Sequence, residues 1–132
     1  MVKEPLVIEL IEDGAKLVLA LREQGVNVVD AYWAYTSEDD FWRLHLIVPD
    51  LTHRGIRQTY GQVIDAAGDH ERDLFTVNPL EVKVVDLNNP TAAVVHSYND
   101  RHGNLATTFR DTMLERQHVE NMYIYRRDMR LK

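Results

Sequence analysis

The stretch that most constrains this fold is residues 28–49, VVDAYWAYTSEDDFWRLHLIVP, which holds both tryptophans of the chain. Two runs of aromatic and β-branched residues flank the polar patch SEDD, and this pattern is typical of a β-hairpin. A turn centred on Glu38 and Asp39 puts one apolar row on one face, because side chains alternate along a strand. A slip of one residue would break that row, so the register is strongly specified. The predicted cross-strand pairs are Tyr35 with Trp42, Trp33 with Leu44, Ala31 with Leu46, and Val29 with Val48.

The opposite face of this hairpin is mixed: too polar for a second core and too aromatic for an ordinary solvated surface. The register predicts Tyr32 beside His45 and Ala34 beside Arg43. An aromatic ring, an imidazole and a guanidinium on one face suit an anionic or aromatic ligand, or a protein partner. Tyr32, Arg43 and His45 are therefore the candidate binding residues. The simpler interpretation is that Tyr32 and Phe41 pack beneath a loop or a dimer mate. The whole face comprises Asp30, Tyr32, Ala34, Phe41, Arg43, His45 and Ile47.

Length and composition favour one domain, residues 1–132, which is large enough to bury a core without disulfides or a metal. The absence of cysteine excludes disulfides and thiolate metal sites, and it suits a reducing compartment. The longest nearly apolar run, residues 17–21, is far shorter than the ~20 residues that span a bilayer. Acids inside the N-terminal apolar run are unlike a secretory signal. We therefore expect a cytoplasmic protein with no membrane partner.

The net charge of −6 counts against non-specific nucleic-acid binding, which depends on lysine and arginine neutralising phosphates. One basic stretch, RRDMRLK at residues 126–132, is the local exception. A short basic tail is typical of a solvated terminus.

Helical periodicity predicts a first helix over residues 5–24. Pro5 suits its first position, and Gly25 suits the left-handed position after its end. Gly14 lies on the apolar stripe, where close packing against a strand would offset its cost of ~1 kcal/mol relative to alanine. The stripe consists of Leu6, Val7, Leu10, Ile11, Gly14, Leu17, Val18 and Leu21.

Two further helices and a third strand follow the hairpin. A helix over residues 52–67, capped by Asp50 or Thr52, is expected to bury Ile56, Tyr60, Val63, Ile64 and Ala67. Residues 69–72 are expected to be a charged loop and 73–79 irregular. Residues 80–87, LEVKVVDL, predict a strand. Asn89 and Pro90 begin a short helix over 90–99, which is expected to bury Val94, Val95 and Tyr98.

Residues 105–126 are ambiguous between helix and strand. Leu105, Phe109 and Met113 fit a helix. Strand-forming residues such as Thr107, Thr112 and Ile124 favour a second hairpin instead. If it turns at residues 115–116, Phe109 faces Met122 and Thr107 faces Ile124.

The resulting order is α-β-β-α-β-α-β-β. It predicts an α+β fold with a sheet of about five strands, largely antiparallel, and with the helices packed on one face.

Two stretches, DAYWAYTSEDDFWRLHLIVP and HVENMYIYRRD, resemble pieces of a group of small uncharacterised bacterial proteins with no assigned function. The first has an aromatic hairpin running into a Trp-Arg-Leu strand. The second has an acid followed by Tyr-Ile-Tyr-Arg at the end of the last strand. Together they cover about a quarter of the chain. The resemblance supports the C-terminal hairpin and implies no activity.

Motifs that carry catalysis are sparse. Asp73 with Glu81-x-Lys83 has the pattern of metal-dependent nucleases of the restriction-enzyme type, but ordinary alternation on a solvated strand gives the same spacing. Ser37 and Ser97 lie outside any G-x-S-x-G elbow, and no phosphate-binding glycine loop is present. The six histidines form neither H-x-x-x-H nor H-E-x-x-H. They are His45, His53, His70, His96, His102 and His118.

The sequence therefore predicts a non-enzymatic module that binds a ligand, a protein partner or its own copy through the mixed hairpin face or a sheet edge. No catalytic residue, metal site or cofactor is expected. The alternative is a small metal-dependent hydrolase or nuclease that uses carboxylates and histidine, with Asp73, Glu81, Lys83 and His96.

Overall fold

A computed structural model describes residue 6 and residues 8–68, 77–103 and 105–129. The predicted α+β order is confirmed, with one short helix and a 3-10 turn added. The elements are α1 (Ile8–Glu23), β1 (Asp30–Tyr35), β2 (Trp42–Ile47), α2 (Leu51–Arg54), α3 (Ile56–Ala67), the 3-10 turn (Pro79–Glu81), β3 (Val82–Val85), α4 (Pro90–His102), β4 (Thr107–Leu114) and β5 (Gln117–Ile124).

The five strands form one sheet in the order β3-β2-β1-β5-β4. Both hairpins pair in the predicted registers, as shown by Tyr35 opposite Trp42 and Phe109 opposite Met122. The second hairpin interpretation is therefore confirmed over the helical one. β2 and β3 run parallel while the other neighbours run antiparallel, so the sheet is mixed but largely antiparallel.

Helices α1 and α3 cover one face of the sheet, where the apolar row of the first hairpin lies. Trp33 and Leu44 are fully buried there against Leu17 and Leu21 of α1. The Trp33 indole donates to the Tyr125 hydroxyl at 2.9 Å, and that hydroxyl donates to a backbone carbonyl of α1. Because each polar tip is paired, these two large side chains contribute their apolar area to the core without an unsatisfied group.

The prediction that all helices lie on one face is wrong, because α4 packs against the opposite face. Ala92 and Val95 of α4 form a second core with Tyr32 and Ile47 of the first hairpin. The sequence hides this contact because the buried side chains of α4 are small and its third buried position is the polar Asn99. Toward the β1–β2 turn the same sheet face is open, and a cleft lies there.

The helix predicted over residues 52–67 is divided in two at Gly55, which has a φ of +97°. The predicted stripe is wrong in part, since Ile56 and Ile64 are 59% and 53% exposed. The restart at Gly55 turns a different set inward, namely Thr59, Val63 and Ala66.

Other boundaries differ for local reasons. The 3-10 turn shortens the third strand to Val82–Val85 and leaves Leu80 83% exposed. Helix α4 runs on to His102 and buries Ala92, Val95 and Asn99, whereas Val94 and Tyr98 are only half-buried. Pro5 and residues 69–76, which include the predicted charged loop, lie outside the described residues.

Replacing Gly14 by alanine tests the close approach of α1 to the sheet. A Cβ atom at Gly14 would collide with the Tyr125 hydroxyl and lie 3.1 Å from Trp33 Nε1. We expect Gly14→Ala to lower the free energy of unfolding by about 1–3 kcal/mol, the usual cost of overpacking. The measurement is urea unfolding followed by circular dichroism.

Gly61→Ala in the middle of α3 is the matched control, because no atom lies within 4 Å of its added Cβ. It should stabilise the protein by up to ~1 kcal/mol through helix propensity alone. Equal stabilisation by the two substitutions would contradict the packing described for Gly14.

Candidate functional site

Asp30, the first residue of β1, holds a carboxylate that is fully enclosed by protein. Arg127 binds it with two hydrogen bonds, Nε to Oδ1 and Nη2 to Oδ2, both at 3.0 Å. Asn99 Nδ2 donates to Oδ1 at 2.7 Å, and His96 Nδ1 lies 2.7 Å from Oδ2. A buried charge is tolerated when it is paired and its acceptor sites are used, and Asp30 meets both conditions.

Arg127 is fixed in turn by groups other than Asp30. Its Nη1 donates to Asp100 Oδ1 at 2.7 Å, and its Nη2 donates to the His96 carbonyl at 3.0 Å. The hydrogen bond to Asp30 raises the pKa of Arg127 above its usual value. Arg22 of α1 donates to the Arg127 carbonyl at 3.2 Å. The Asp30 cluster thus connects α1, β1, α4 and the segment after β5, which is a structural role.

A cleft of about 260 Å³ lies on the same sheet face, between the start of α4 and the β1–β2 turn. Tyr32 and His45 are cross-strand neighbours in its lining, as the sequence predicted. Their rings stack with centroids 4.6 Å apart and planes within 3° of parallel. Lys83 of β3 and Thr91 of α4 also line this cleft. We call it the sheet–helix cleft.

Tyr32 contributes a buried phenol ring to the lining of the sheet–helix cleft. Only 1% of the residue is exposed, and its hydroxyl makes no hydrogen bond to any residue within the described ranges. Burial raises the pKa of Tyr32, so the hydroxyl keeps its proton. Buried tyrosines usually find a partner for this group, and here the proton is available to a ligand.

His45 supplies a hydrogen-bond acceptor. Its Nδ1 lies 3.1 Å from the Arg43 carbonyl oxygen, which can only accept, so Nδ1 carries the ring proton. Burial lowers the pKa of His45 from its usual 6.5 to about 4, and the charges of Lys83 and Arg43 act in the same direction. At neutral pH the ring is therefore uncharged, and Nε2 presents a lone pair.

Arg43, the third predicted binding residue, is not among the residues that line the sheet–helix cleft. Its guanidinium carbon lies 5.0 Å from the centroid of the Phe41 ring, and its Nε lies 3.9 Å from Asp39 Oδ2. These are contacts within the hairpin, and the buried Nε makes no hydrogen bond to the described residues. The structure thus brings Tyr32 and His45 together in one cavity and directs Arg43 elsewhere.

Sequence reasoning missed Lys83 and Thr91 as members of this site. Lys83 reaches it because β3 pairs in parallel with β2, opposite His45. Thr91 reaches it because α4 crosses the face that was expected to lack a helix. The one available signal was the polar character of that hairpin face.

A wider cavity of about 760 Å³ lies on the other side of the sheet, beside α1. Trp42, Tyr123 and Arg110 are among its lining residues. The Tyr123 hydroxyl, like that of Tyr32, makes no hydrogen bond within the described part of the chain, but Tyr123 is only partly buried.

The residues of the hydrolase alternative do not form one described group. Asp73 lies outside the described residues, and Glu81 ends the 3-10 turn rather than standing in a strand. Lys83 lies in β3, while His96 is bonded to Asp30. Among residues 8–68, 77–103 and 105–129, no three potential metal ligands come together.

In comparisons with protein-family models, curated proteins and solved structures, no match to this chain was found. The resemblance to bacterial proteins without an assigned function therefore stays a prediction. None of the helices in the described segments has the length and apolar character needed to cross a bilayer. The chemistry of the sheet–helix cleft is the basis on which a function can be argued.

Replacing Arg127 by methionine tests the role of the Asp30 cluster. The substitution keeps an unbranched chain but leaves the enclosed Asp30 carboxylate without its bidentate partner. Removing one partner of a buried pair costs about 3 kcal/mol or more, and we expect a loss of that size in chemical denaturation.

Arg126→Met is the matched control. Arg126 is exposed, and its one ion pair in the described part of the chain is with the exposed Asp128, so the expected change is within about 0.5 kcal/mol. Similar small effects of the two substitutions would show that the Asp30 carboxylate does not depend on Arg127.

Proposed function

We propose that this protein is a binding module that takes up a small polar molecule in the sheet–helix cleft. The observation that carries the proposal is the hydroxyl of Tyr32, which has no partner among the described residues, on a residue that is 99% enclosed and lines the cleft. The Tyr32 hydroxyl is not one of the fully buried unpaired atoms of the described residues, so it can be reached from the cleft. A ligand that accepts a hydrogen bond from it gains about 0.5–1.5 kcal/mol.

The neighbouring His45 defines a second point of contact. Its Nε2 accepts a hydrogen bond at neutral pH, because the ring proton is held at Nδ1 and the pKa is lowered to about 4. The cleft therefore offers one donor and one acceptor side by side. A molecule with a hydroxyl or amino group next to an acceptor oxygen satisfies both.

Size and shape favour a small molecule over a macromolecular partner. The volume of about 260 Å³ lies below the roughly 300–1,000 Å³ that is typical of pockets for drug-sized ligands. Ala34, Val119 and Met122 contribute apolar surface to the lining, against which a short hydrocarbon body can pack. A concave site of this size contacts a small metabolite on several sides but gives a flat protein surface little contact.

The two sheet edges are less favourable for pairing with another chain. At the β3 edge, the Tyr60 hydroxyl already accepts from the Val84 amide at 2.8 Å. At the β4 edge, Asp111 has a φ of +42° in mid-strand, which interrupts the regular row of backbone groups. Natural proteins protect exposed edges by such irregularities, so self-association through an edge is not the function we propose.

Tyr32→Phe tests the proposed function. A panel of small hydroxylated and amino-substituted metabolites is screened against the wild-type protein by ligand-observed NMR, and affinities of the hits are measured in both proteins. Removing one buried hydrogen bond should weaken binding by about tenfold. The fold should be retained, because the hydroxyl has no described protein partner to lose.

Tyr123→Phe is the matched control, since it removes an unpaired hydroxyl from the wider cavity on the other side of the sheet. It should leave binding unchanged. If no member of the panel binds, or if Tyr123→Phe weakens binding while Tyr32→Phe does not, the sheet–helix cleft is not the ligand site.

A further inference from the structure

We infer that the ligand of the sheet–helix cleft is a small acid, whose anionic group lies between Lys83 and the start of α4 and whose own hydroxyl or amino group donates to His45. This inference rests on the proposed function and specifies the chemical class of the ligand. Three independent features of the cleft support it: a cation, a helix start with an unpaired amide, and the buried hydroxyl of Tyr32.

The cation is Lys83, which lies in β3 opposite His45 and lines the cleft. It is exposed, and it makes no ion pair to any residue in the described segments. Its charge contributes to lowering the pKa of His45, so its field extends to the stacked rings. An ammonium group at a cleft wall that forms no ion pair in the described segments is available to bind an anion from solution.

The start of α4 provides the second feature. Pro90 has no amide hydrogen, and the Ala92 amide is already bonded to the Asn89 side chain at 3.0 Å. The Thr91 amide between them has no acceptor among the described residues, and Thr91 lines the cleft. The partial positive charge of the helix start favours an anion at this point.

The Thr91 hydroxyl is a hydrogen-bond donor, like the Thr91 amide. It accepts a hydrogen bond from the Gln117 side-chain amide, which leaves its own proton available. The Tyr32 hydroxyl likewise has no acceptor in the described ranges, so the cleft has two hydroxyl donors besides the amide and the ammonium. Oxygen atoms of a carboxylate or phosphate are the acceptors that such a set of donors matches.

Two carboxylates also line the cleft, and each contacts a residue of the first hairpin. Glu120 accepts from the Ser37 amide at 2.8 Å and from the Ser37 hydroxyl at 3.0 Å. Asp39 lies 3.9 Å from the Arg43 guanidinium, near the β1–β2 turn. Lys83 has no ion pair among the described residues, whereas Asp39 lies near a cation and Glu120 is hydrogen-bonded to Ser37 at the turn.

His45 determines which chemical group of the ligand lies next to the anionic group. Its neutral Nε2 only accepts, so it is a poor neighbour for an anionic oxygen and a good one for a hydroxyl or an amine. The ligand class that satisfies every group is a short hydroxy or amino acid, or a phosphorylated alcohol that keeps a free hydroxyl.

The experiment compares four probes by isothermal titration calorimetry with the full chain. 3-Hydroxybutyrate has both the acid and the donor, 3-hydroxybutyramide has only the donor, and butyrate has only the acid. Glycerol 3-phosphate separates phosphate from carboxylate. We expect the hydroxy acid to bind about tenfold more tightly than its amide, since hydrogen bonds to a charged group are about twice as strong as neutral ones.

Lys83→Gln should reduce the affinity for 3-hydroxybutyrate about tenfold and leave that for the amide unchanged. Arg110→Gln, an equal change of charge at the cavity on the other side of the sheet, should alter neither. Preferential binding of glycerol 3-phosphate with the same dependence on Lys83 supports the inference and identifies phosphate as the anionic group.

Equal binding of the acid and the amide, with no effect of Lys83→Gln, would overturn the inference while leaving the proposed function intact. Failure of all four probes, when the metabolite screen has found a neutral or cationic ligand that depends on Tyr32, overturns it in the same way. Failure of all four probes together with an empty screen overturns both proposals.

Discussion

The enclosed carboxylate of Asp30 is the interaction on which the rest of this structure depends. Asp30 begins the central strand, and its partners come from α4 and from the segment after β5. Removing an unpaired carboxylate from water costs several kcal/mol, so β1 can be buried at this end only when α4 and Arg127 are in place. The same contacts hold the second half of α4 against this sheet face, and the start of the same helix lines the sheet–helix cleft.

One sheet face therefore contains two kinds of polar group. Around Asp30 the hydrogen-bonding capacity of the carboxylate is used by protein, which makes that cluster structural. In the sheet–helix cleft, the Tyr32 hydroxyl and the accepting nitrogen of His45 lack protein partners in the described ranges. Asn99 Oδ1, beside Asp30, is also buried without a partner in the described residues, so a missing partner alone does not mark a ligand site. The basis of the proposed binding role is that a donor and an acceptor lie side by side in the lining of one cleft.

Local sequence patterns predicted the two hairpins but not the long-range contacts that connect them to the rest of the fold. The pairing of Tyr32 with His45 follows from alternation and from one polar turn, because register in a hairpin is a short-range property. Asp30 and Arg127 lie 97 positions apart, and no spacing rule connects them. An aspartate within the apolar run VVDAYWAY was the only sign that a charge would need a distant partner. The sequence named Lys83 only for the hydrolase alternative, and its place beside His45 was missed because it depends on a parallel pairing across two helices.

The most direct test of the account is a two-dimensional NMR titration of the isotope-labelled protein with 3-hydroxybutyrate. Binding in the sheet–helix cleft predicts the largest amide shifts at Thr91, Lys83 and His45, with the Thr91 amide moving downfield as it gains an acceptor. Residues that line only the wider cavity, such as Arg110 and Tyr123, should stay unchanged. The largest shifts at Arg110 and Tyr123, with Thr91 unmoved, would contradict the account.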